Sequence, residues 1–242
     1  YAVNYQGFTV ILGEVGSGKS LPKQRLMEHI NASKGKLIVV WPEFFQMRRV
    51  RAGSISRCLL EHFGQRVPND LVSQATKLKR VLRELSDDGK RVAIGLDECH
   101  RLSDDTVSSL KNFWEMGTGG FTQYLGVILF GQPQFEDRLI DTDFREIAER
   151  IEVVSMPALT TEKAAWEYLN HRLQQAGGRI EKLFEREAVT ELAKRAQTPL
   201  ALGNLANAAL METFARGHGI VLKKWVTDAG KTSTVVGVRE AA

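Results

Sequence analysis

Residues 8–20 read FTVILGEVGSGKS, an apolar run that leads directly into a glycine-rich segment. The segment 13–20 has the spacing G-x-x-x-x-G-K-S, and a helical pattern follows it. A strand ending in such a loop directs several backbone N–H groups to one point, and the N-terminus of the next helix adds its positive dipole end. Glycine lets the backbone approach a phosphate closely. The order strand, loop, helix therefore predicts a phosphate-binding loop rather than a glycine-rich turn with a chance lysine.

The loop residues have separate expected roles in binding a nucleoside triphosphate. Lys19 is placed to reach the β- and γ-phosphates, and the Ser20 hydroxyl to bind Mg²⁺. Backbone and side chains of the whole segment are expected to surround the phosphates, together with one acid from elsewhere in the chain. The predicted nucleotide-binding residues are Gly13, Glu14, Val15, Gly16, Ser17, Gly18, Lys19, Ser20 and Asp97.

Asp97 and Glu98 end the apolar segment RVAIGLDE at 91–98. A carboxylate at the tip of a neighbouring parallel strand can complete a Mg²⁺ shell, so Asp97 is predicted to be a metal ligand beside Ser20. Glu98 is predicted to orient and deprotonate the attacking water. The alternative is a simple acidic turn, which the glycine-rich loop argues against. Residues 99–100 (Cys-His) have no further Cys or His at ligand spacing, so they predict no metal site of their own.

The apolar pattern along the chain predicts the fold class. Up to about residue 157, short runs rich in Val and Ile alternate with helical patterns, which indicates buried parallel strands in an α/β domain. The runs are 8–12, 36–41, 91–97, 124–130 and 151–154. Only helical patterns follow, over 161–176, 185–196 and 199–216. We predict a five-stranded parallel α/β domain (1–156), a small all-helical domain (157–229) and a loose polar tail (230–242).

Two later segments add polar side chains to the predicted catalytic set. The strand 124–130 leads to Gln132, whose amide is predicted to contact the γ-phosphate and the attacking water; a strand-ending turn is the alternative. The segment 141–154 carries Arg145 and Arg150. An arginine here is expected to face away from its own nucleotide and to stabilise transition-state charge in a neighbouring subunit, with Arg150 preferred over Arg145. A solvated helix face, paired with neighbouring glutamates, is the alternative.

Composition excludes several classes of protein. The 242 residues are 43% hydrophobic and 26% charged, which excludes collagen-like and mostly disordered chains. Two cysteines are too few for a disulfide framework, and no secretory signal or apolar run near ~18 residues is present. We therefore expect a cytoplasmic protein. The chain opens on Tyr1, so we expect an N-terminal piece to be missing. The net charge of +4 permits an acidic partner such as nucleic acid without requiring one.

These motifs in this order resemble the AAA+ ATPase class. The closer resemblance is to the branch with secretion ATPases of the ExeA/GspA type and transposition ATPases of the MuB/TnsC type. It implies Mg²⁺-dependent ATP hydrolysis at sites shared between subunits, and self-assembly into a ring or helical filament. It also implies a location in the cytoplasm of a bacterium or of a phage-infected host. A two-core helicase is excluded, because no second α/β half follows. The stretches that carry the resemblance are GEVGSGKS (13–20), LDECHRL (96–102), ILFGQPQ (128–134), ERIEVVSMPAL (149–159) and the lid-like TPLALGNLANAAL (198–210).

The two sides of this branch imply different clients. The secretion type is expected to continue into a membrane span and a periplasmic part, and neither appears in these residues, which favours the transposition type. That type implies sequence-nonspecific binding of duplex DNA and its delivery to a transposase. The resemblance implies that the segment with Arg48, Arg49 and Arg51 faces the bound DNA. Arginines in a loop are suited to contact DNA phosphates. A solvated basic loop is the alternative for these residues, and a secretion ATPase domain that does not bind DNA is the alternative function.

Overall fold

The computed structural model describes residues 1–118, 122–141 and 150–232. They form two compact units, one with residues 1–13 and 19–155, the other with residues 14–18 and 156 onward. Arg145 and residues 233–242 of the predicted tail lie outside the described residues. Among the described helices, none is both long and apolar enough to cross a membrane.

The first unit alternates strands and helices. Two short 3-10 turns, Met47–Arg49 and Cys99–Arg101, lie in its loops. Its elements are β1 (Phe8–Leu12), α1 (Ser20–Ala32), β2 (Leu37–Val40), α2 (Ala52–His62), α3 (Leu71–Asp87), β3 (Arg91–Leu96), α4 (Asp104–Trp114), β4 (Gly117–Thr118), β5 (Thr122–Gln123), β6 (Leu125–Gly131), α5 (Phe135–Asp141) and β7 (Ile151–Ser155).

Five of these strands form one sheet in the order β2-β3-β6-β1-β7. Every neighbouring pair is parallel. The predicted five-stranded parallel α/β fold is therefore confirmed, and each predicted strand lies within one residue of its observed ends. The centre is β6, all of whose residues are buried, as a strand covered on both faces should be. The short antiparallel pair β4–β5 was not predicted, because two-residue strands carry no periodic signal.

Helix α3 shows how the sequence pattern produces packing. Leu78, Val81 and Leu82 recur at helical spacing and are buried in the core beside the sheet, while the charged positions face solvent. Asp70 caps the N-terminus of this helix, and its carboxylate accepts the Ser73 backbone N–H at 2.8 Å. That hydrogen bond lowers the pKa of Asp70.

The second unit is helical, as predicted. Thr161 and Thr198 cap α6 and α9 by accepting backbone N–H groups three residues on. The helices are α6 (Glu162–Gln175), α7 (Ile180–Leu183), α8 (Arg186–Arg195), α9 (Pro199–Ala215) and α10 (Lys223–Thr232). The patterns at 161–176, 185–196 and 199–216 correspond to α6, α8 and α9, whereas α7 and α10 were not predicted. The segment 14–18 belongs to this unit, in which the Leu200 N–H donates to the Gly16 carbonyl oxygen at 3.2 Å.

Candidate nucleotide-binding site

Three neighbouring strand ends place the predicted site residues of the first unit at one edge of the sheet. β6 lies between β1 and β3, with Leu12 of β1 opposite Gly131 of β6. The Gly13 N–H donates to the Gly131 carbonyl oxygen at 3.1 Å and extends this pairing by one residue. Gly13, Gln132 and Asp97 each follow the carboxyl end of one of these strands. In parallel sheets, ligands bind at this edge.

The loop between β1 and α1 has the backbone geometry of a tight turn. The Ser17 N–H donates to the Glu14 carbonyl oxygen at 3.0 Å. Gly16 and Gly18 have φ of 79° and 92°, a left-handed conformation that favours glycine. The Ser17 hydroxyl is buried and has no hydrogen-bond partner among the described residues. An unpaired buried hydroxyl in a turn of this shape fits a loop that closes around a polar ligand.

Helix α1 begins without the usual stabilisation of its N-terminus. Among the described residues no side chain caps it, and its first turn contains no acidic residue. The N–H groups of a first turn have no partner inside the helix, and together with the dipole they attract anions. A phosphate group bound here would supply the missing negative charge.

Lys19 and Ser20 stand at the junction of this loop and α1. The Lys19 ammonium donates to the Gly13 carbonyl oxygen. Ser20 is the first residue of α1 and is exposed. Mg²⁺ takes few protein ligands and completes its shell with water and phosphate oxygens. The Ser20 hydroxyl and the Asp97 carboxylate fit such a site, which needs no cluster of protein carboxylates; the described residues contain none.

Asp97 and Glu98 differ in how they are held. One Asp97 carboxylate oxygen accepts the Glu98 N–H at 2.9 Å, and the other lies 3.5 Å from the Lys23 ammonium. Glu98 has φ of 52° and ψ of 37°, a left-handed conformation that side chains rarely adopt. Strained backbone of this kind occurs often at functional sites. The Glu98 side chain is 46% exposed, so water can reach its carboxylate.

The turn after Glu98 is fixed by long-range contacts. The Arg138 guanidinium donates to the carbonyl oxygens of His100 (2.9 Å) and Leu102 (2.8 Å) and to the Asp104 carboxylate. The His100 Nε2 atom lies 3.6 Å from the Glu98 carboxylate. Burial lowers the pKa of His100, although Glu98 acts in the opposite direction. Arg138 therefore holds the backbone that carries the predicted water-activating acid.

Gln132 and Arg150 occupy separate positions. Gln132 is half-buried directly after β6, and its carbonyl oxygen accepts the Phe135 N–H at 3.0 Å. Arg150 is exposed, and its guanidinium lies 4.5 Å from the centre of the Trp114 ring. Such a stacked arginine is held by a cation–π contact. The roles of Gln132 toward phosphate and of Arg150 toward a neighbouring subunit stay predictions.

The three loop arginines are not equivalent. Arg48 and Arg49 are exposed on a 3-10 turn. The Arg51 guanidinium donates to the Ser103 hydroxyl at 3.0 Å and to the carbonyl oxygens of Arg48 (3.2 Å) and Val50 (3.1 Å). Arg51 thus fixes the loop to the start of α4, whereas the first two arginines project from it.

Three residues of interest were missed by the sequence reasoning. Lys23 follows Lys19 by one helical turn, a spacing that puts both on one helix face and was visible in the sequence. Phe45 is fully exposed (107%), while the adjacent Phe44 packs against the core. No local signal distinguishes these two phenylalanines. Arg138 contacts residues more than thirty positions away, so its role was invisible without the fold.

The fold and the glycine-rich loop between β1 and α1 are those of a nucleotide-binding ATPase domain. The chain belongs to the AAA domain family, which matches residues 3–139. Membership of this family implies that the chain binds and hydrolyses nucleotide.

The chain is 26% identical over 220 residues to general secretion pathway protein A of Aeromonas hydrophila, an alignment that covers 89% of this chain. The chain spans only 39% of the length of that curated relative. This similarity agrees with the AAA+ class and with the secretion side of the resemblance, whereas the transposition side stays a prediction.

Solved structures with the same fold include two ORC proteins and a Cdc6 protein. The ORC2 protein of Aeropyrum pernix, in ADPNP-ADP complexes, has a TM-score of 0.60 at 13% identity, covering 96% of this chain and 63% of that one. Cdc6p of Pyrobaculum aerophilum has a TM-score of 0.59 at 18% identity, covering 96% and 63%. The Aeropyrum pernix ORC1 protein in complex with DNA has a TM-score of 0.55 at 17% identity, covering 93% and 59%. At these identities the likeness shows the fold alone.

Proposed function

We propose that this chain is a Mg²⁺-dependent ATPase that assembles with nucleotide and binds duplex DNA without sequence preference. The observation that carries the ATPase part is the alignment of three strand ends, which brings Gly13, Gln132 and Asp97 to one edge of the sheet. The family match supports the same conclusion.

Each side chain at this edge has a defined task in the proposed reaction. The loop N–H groups and Lys19 bind the phosphates, and Ser20 with Asp97 binds Mg²⁺, which neutralises charge on the phosphate oxygens. Glu98 accepts a proton from the attacking water. Gln132 donates its amide N–H to the γ-phosphate or orients the water. Catalysis in this scheme consists of positioning and charge stabilisation, because phosphoryl transfer needs little covalent help from protein.

Assembly supplies the last charge in the proposed site. Arg150 is exposed, and its guanidinium stacks on the Trp114 ring. This cation–π contact restricts the conformations of the arginine side chain. We assign it to the γ-phosphate of an adjacent subunit, where an arginine accelerates phosphoryl transfer by about 10³–10⁵-fold. Arg145 is the second candidate for this task and lies outside the described residues.

The DNA-binding surface in this proposal is the loop between β2 and α2. Arg48, Arg49 and Phe45 are exposed. Arg51 anchors the loop by donating a hydrogen bond to Ser103. Exposed guanidinium groups beside an exposed aromatic ring are typical of surfaces that contact nucleic acid. Glu43 is the acidic residue exposed in the same segment. The solved structure of the ORC1 protein with DNA shows that a protein of this fold can bind DNA.

Salt dependence tests the DNA proposal. Each phosphate neutralised by a basic side chain adds about 0.9 to the slope of log affinity against log salt. Removing both Arg48 and Arg49 should therefore reduce the slope by about 1.8, which is about 12-fold in relative affinity between 50 and 200 mM salt. The assay is fluorescence anisotropy of labelled duplex with a non-hydrolysable ATP analogue.

A charge-matched control separates contact from general attraction. Arg80 and Arg83 lie on α3 and pair with Glu84 and Asp87 at 3.9 and 3.7 Å. Replacing both by alanine removes the same two charges away from the loop and should leave the slope nearly unchanged. Equal slopes in the wild type and the loop variant would remove this loop from the DNA-binding surface.

A secretion-system ATPase domain is the second candidate function, because the match to general secretion pathway protein A covers most of the chain. The lack of a membrane segment in these residues does not separate the two functions, since the chain spans only 39% of that relative. Nucleotide binding without any DNA binding in the assay above would favour this candidate. Delivery of the bound DNA to a transposase is the most specific part of the proposal, and it rests on the sequence resemblance alone.

A further inference from the structure

Lys23 lies between two partners at the edge of the proposed site. Its ammonium is 3.5 Å from an Asp97 carboxylate oxygen and 4.7 Å from the centre of the Trp41 ring. The Lys23 side chain is 37% exposed, so it is neither buried nor freely solvated. It lies one helical turn after Lys19 and outside the glycine-rich motif. One cation therefore contacts an acid of the site and an aromatic ring of the next segment at the same time.

Lys23 lines an open cleft at the surface of the first unit. The cleft has a volume of about 290 Å³, and its lining includes Lys23, Trp41, Phe44 and Glu98. The Trp41 indole lies so close over Gly95 that a β-carbon there would be 2.1 Å from the ring. Gly95 lies in β3 and precedes Asp97 by two residues. The ring therefore packs on the strand that leads into Asp97.

We propose that Lys23 is the internal counter-cation of Asp97, and that a divalent metal ion displaces its ammonium from Asp97 while its contact with the Trp41 ring remains. This inference rests on the proposed function, because it takes Asp97 as the carboxylate that binds metal. A carboxylate that is paired with an ammonium group binds a metal ion less strongly, because the ammonium and the metal ion repel each other. The face of an indole is the aromatic surface that attracts cations best, so the existing contact with Trp41 keeps the ammonium stabilised after it leaves Asp97.

The competition predicts a change in metal affinity of known sign. Lys23→Met keeps the length and packing of the side chain but removes its charge. Partly exposed ion pairs contribute little, so loss of this competitor should raise Mn²⁺ affinity by about two- to five-fold. Mn²⁺ binding is measured by electron paramagnetic resonance, with a non-hydrolysable ATP analogue present. A decreased or unchanged affinity would overturn the proposal, because Lys23 would then orient Asp97 or have no influence on it.

Arg25→Met is the matched control. Arg25 lies on the same helix and pairs with Glu28 at 3.1 Å, outside the cleft. This variant should bind Mn²⁺ like the wild type. An increase equal to that of Lys23→Met would mean that general loss of positive charge, not displacement from Asp97, changes the affinity.

Tryptophan emission gives an independent readout of the Trp41 contact. Mg²⁺ binding should change the emission of the wild type, because the ammonium on the indole loses its Asp97 partner and shifts on the ring. The change should disappear in Lys23→Met and in Trp41→Phe, and its persistence in either variant would overturn the Trp41 part. Binding of a fluorescent ATP analogue in the presence of Mg²⁺ tests the proposed function separately. If that analogue binds and the Mn²⁺ affinities are equal, only the Lys23 proposal fails; if it never binds, both fail.

Discussion

Gly131→Ala tests whether contact between two strand ends positions the proposed catalytic acid. Gly131 is the last residue of β6, and a β-carbon added there would lie 2.5 Å from the Cys99 sulfur. Cys99 is fully buried and begins the turn that directly follows Glu98. The same β-carbon would lie 3.6 Å from the Leu12 side chain, an ordinary contact. The substitution therefore pushes on the Glu98 turn and not on β1.

The size of the push follows from these distances. Ordinary contacts of a β-carbon begin at 3.4 Å, so Gly131 and Cys99 must separate by about 0.9 Å. Overpacking a core in this way typically costs about 1–3 kcal/mol. For a chain of this size, that corresponds to a decrease in Tm of about 2–12 °C. Because a displacement near 1 Å in a catalytic group costs about 100-fold, we expect kcat for ATP hydrolysis to fall by about 10- to 100-fold.

Three measurements on purified protein test this expectation. Thermal unfolding followed by circular dichroism gives Tm, steady-state phosphate release gives kcat, and a fluorescent ATP analogue gives nucleotide affinity. Nucleotide affinity should change less than kcat, since the contact with Leu12 is not strained. Gly219→Ala is the control, because no atom lies within 4 Å of a β-carbon at that position. It should leave all three quantities unchanged.

A double variant decides whether the Cys99 contact is the cause. Cys99→Ala removes the sulfur atom that a β-carbon at Gly131 would meet. In the Cys99→Ala background, Gly131→Ala should therefore cost at least 0.5 kcal/mol less than in the wild type, a coupling typical of residues in contact. Equal costs in both backgrounds would refute the reasoning, as would a Gly131→Ala protein with wild-type Tm and kcat.

Three further predictions concern the site and its surroundings. Glu98→Gln should keep nucleotide affinity but lower kcat by about 10²–10⁴-fold, measured by phosphate release; full turnover would mean that another group accepts the proton. Arg150→Ala subunits and Lys19→Ala subunits should each be inactive alone and partly active when mixed, because one supplies the binding site and the other the arginine; no recovery would favour Arg145 or a monomeric site. Burial raises the pKa of the Cys99 thiol far more than that of the half-exposed Cys58, so at pH 8 a thiol reagent should label Cys58 first and Cys99 only after unfolding; equal labelling rates would contradict the described packing.

Most of the architecture was predictable because it is encoded locally. Apolar runs of period two or continuous hydrophobicity mark strands, and positions such as Leu78 and Leu82 mark one helix face. The spacing of glycines and Lys19 in 13–20 specifies a loop whose backbone conformation is set within a few residues. The strands therefore fell within one residue of their predicted ends, whereas the four-residue α7 and the two-residue β4 and β5 were too short to show a period.

The contacts that surround the site were decided only by the tertiary structure. The sequence determined that Asp97 and Glu98 end a strand, but not that Lys23 and Arg138 would reach this region from two helices distant in the chain. The sequence placed Arg48, Arg49 and Arg51 in one loop. It did not show that, of these three, Arg51 would donate a hydrogen bond to Ser103. The physical reason is that a periodic pattern specifies which face of an element is apolar, whereas a side chain's partner depends on which elements the crossover connections bring together. That choice is made by packing of the whole unit, so it leaves no mark in any short stretch of sequence.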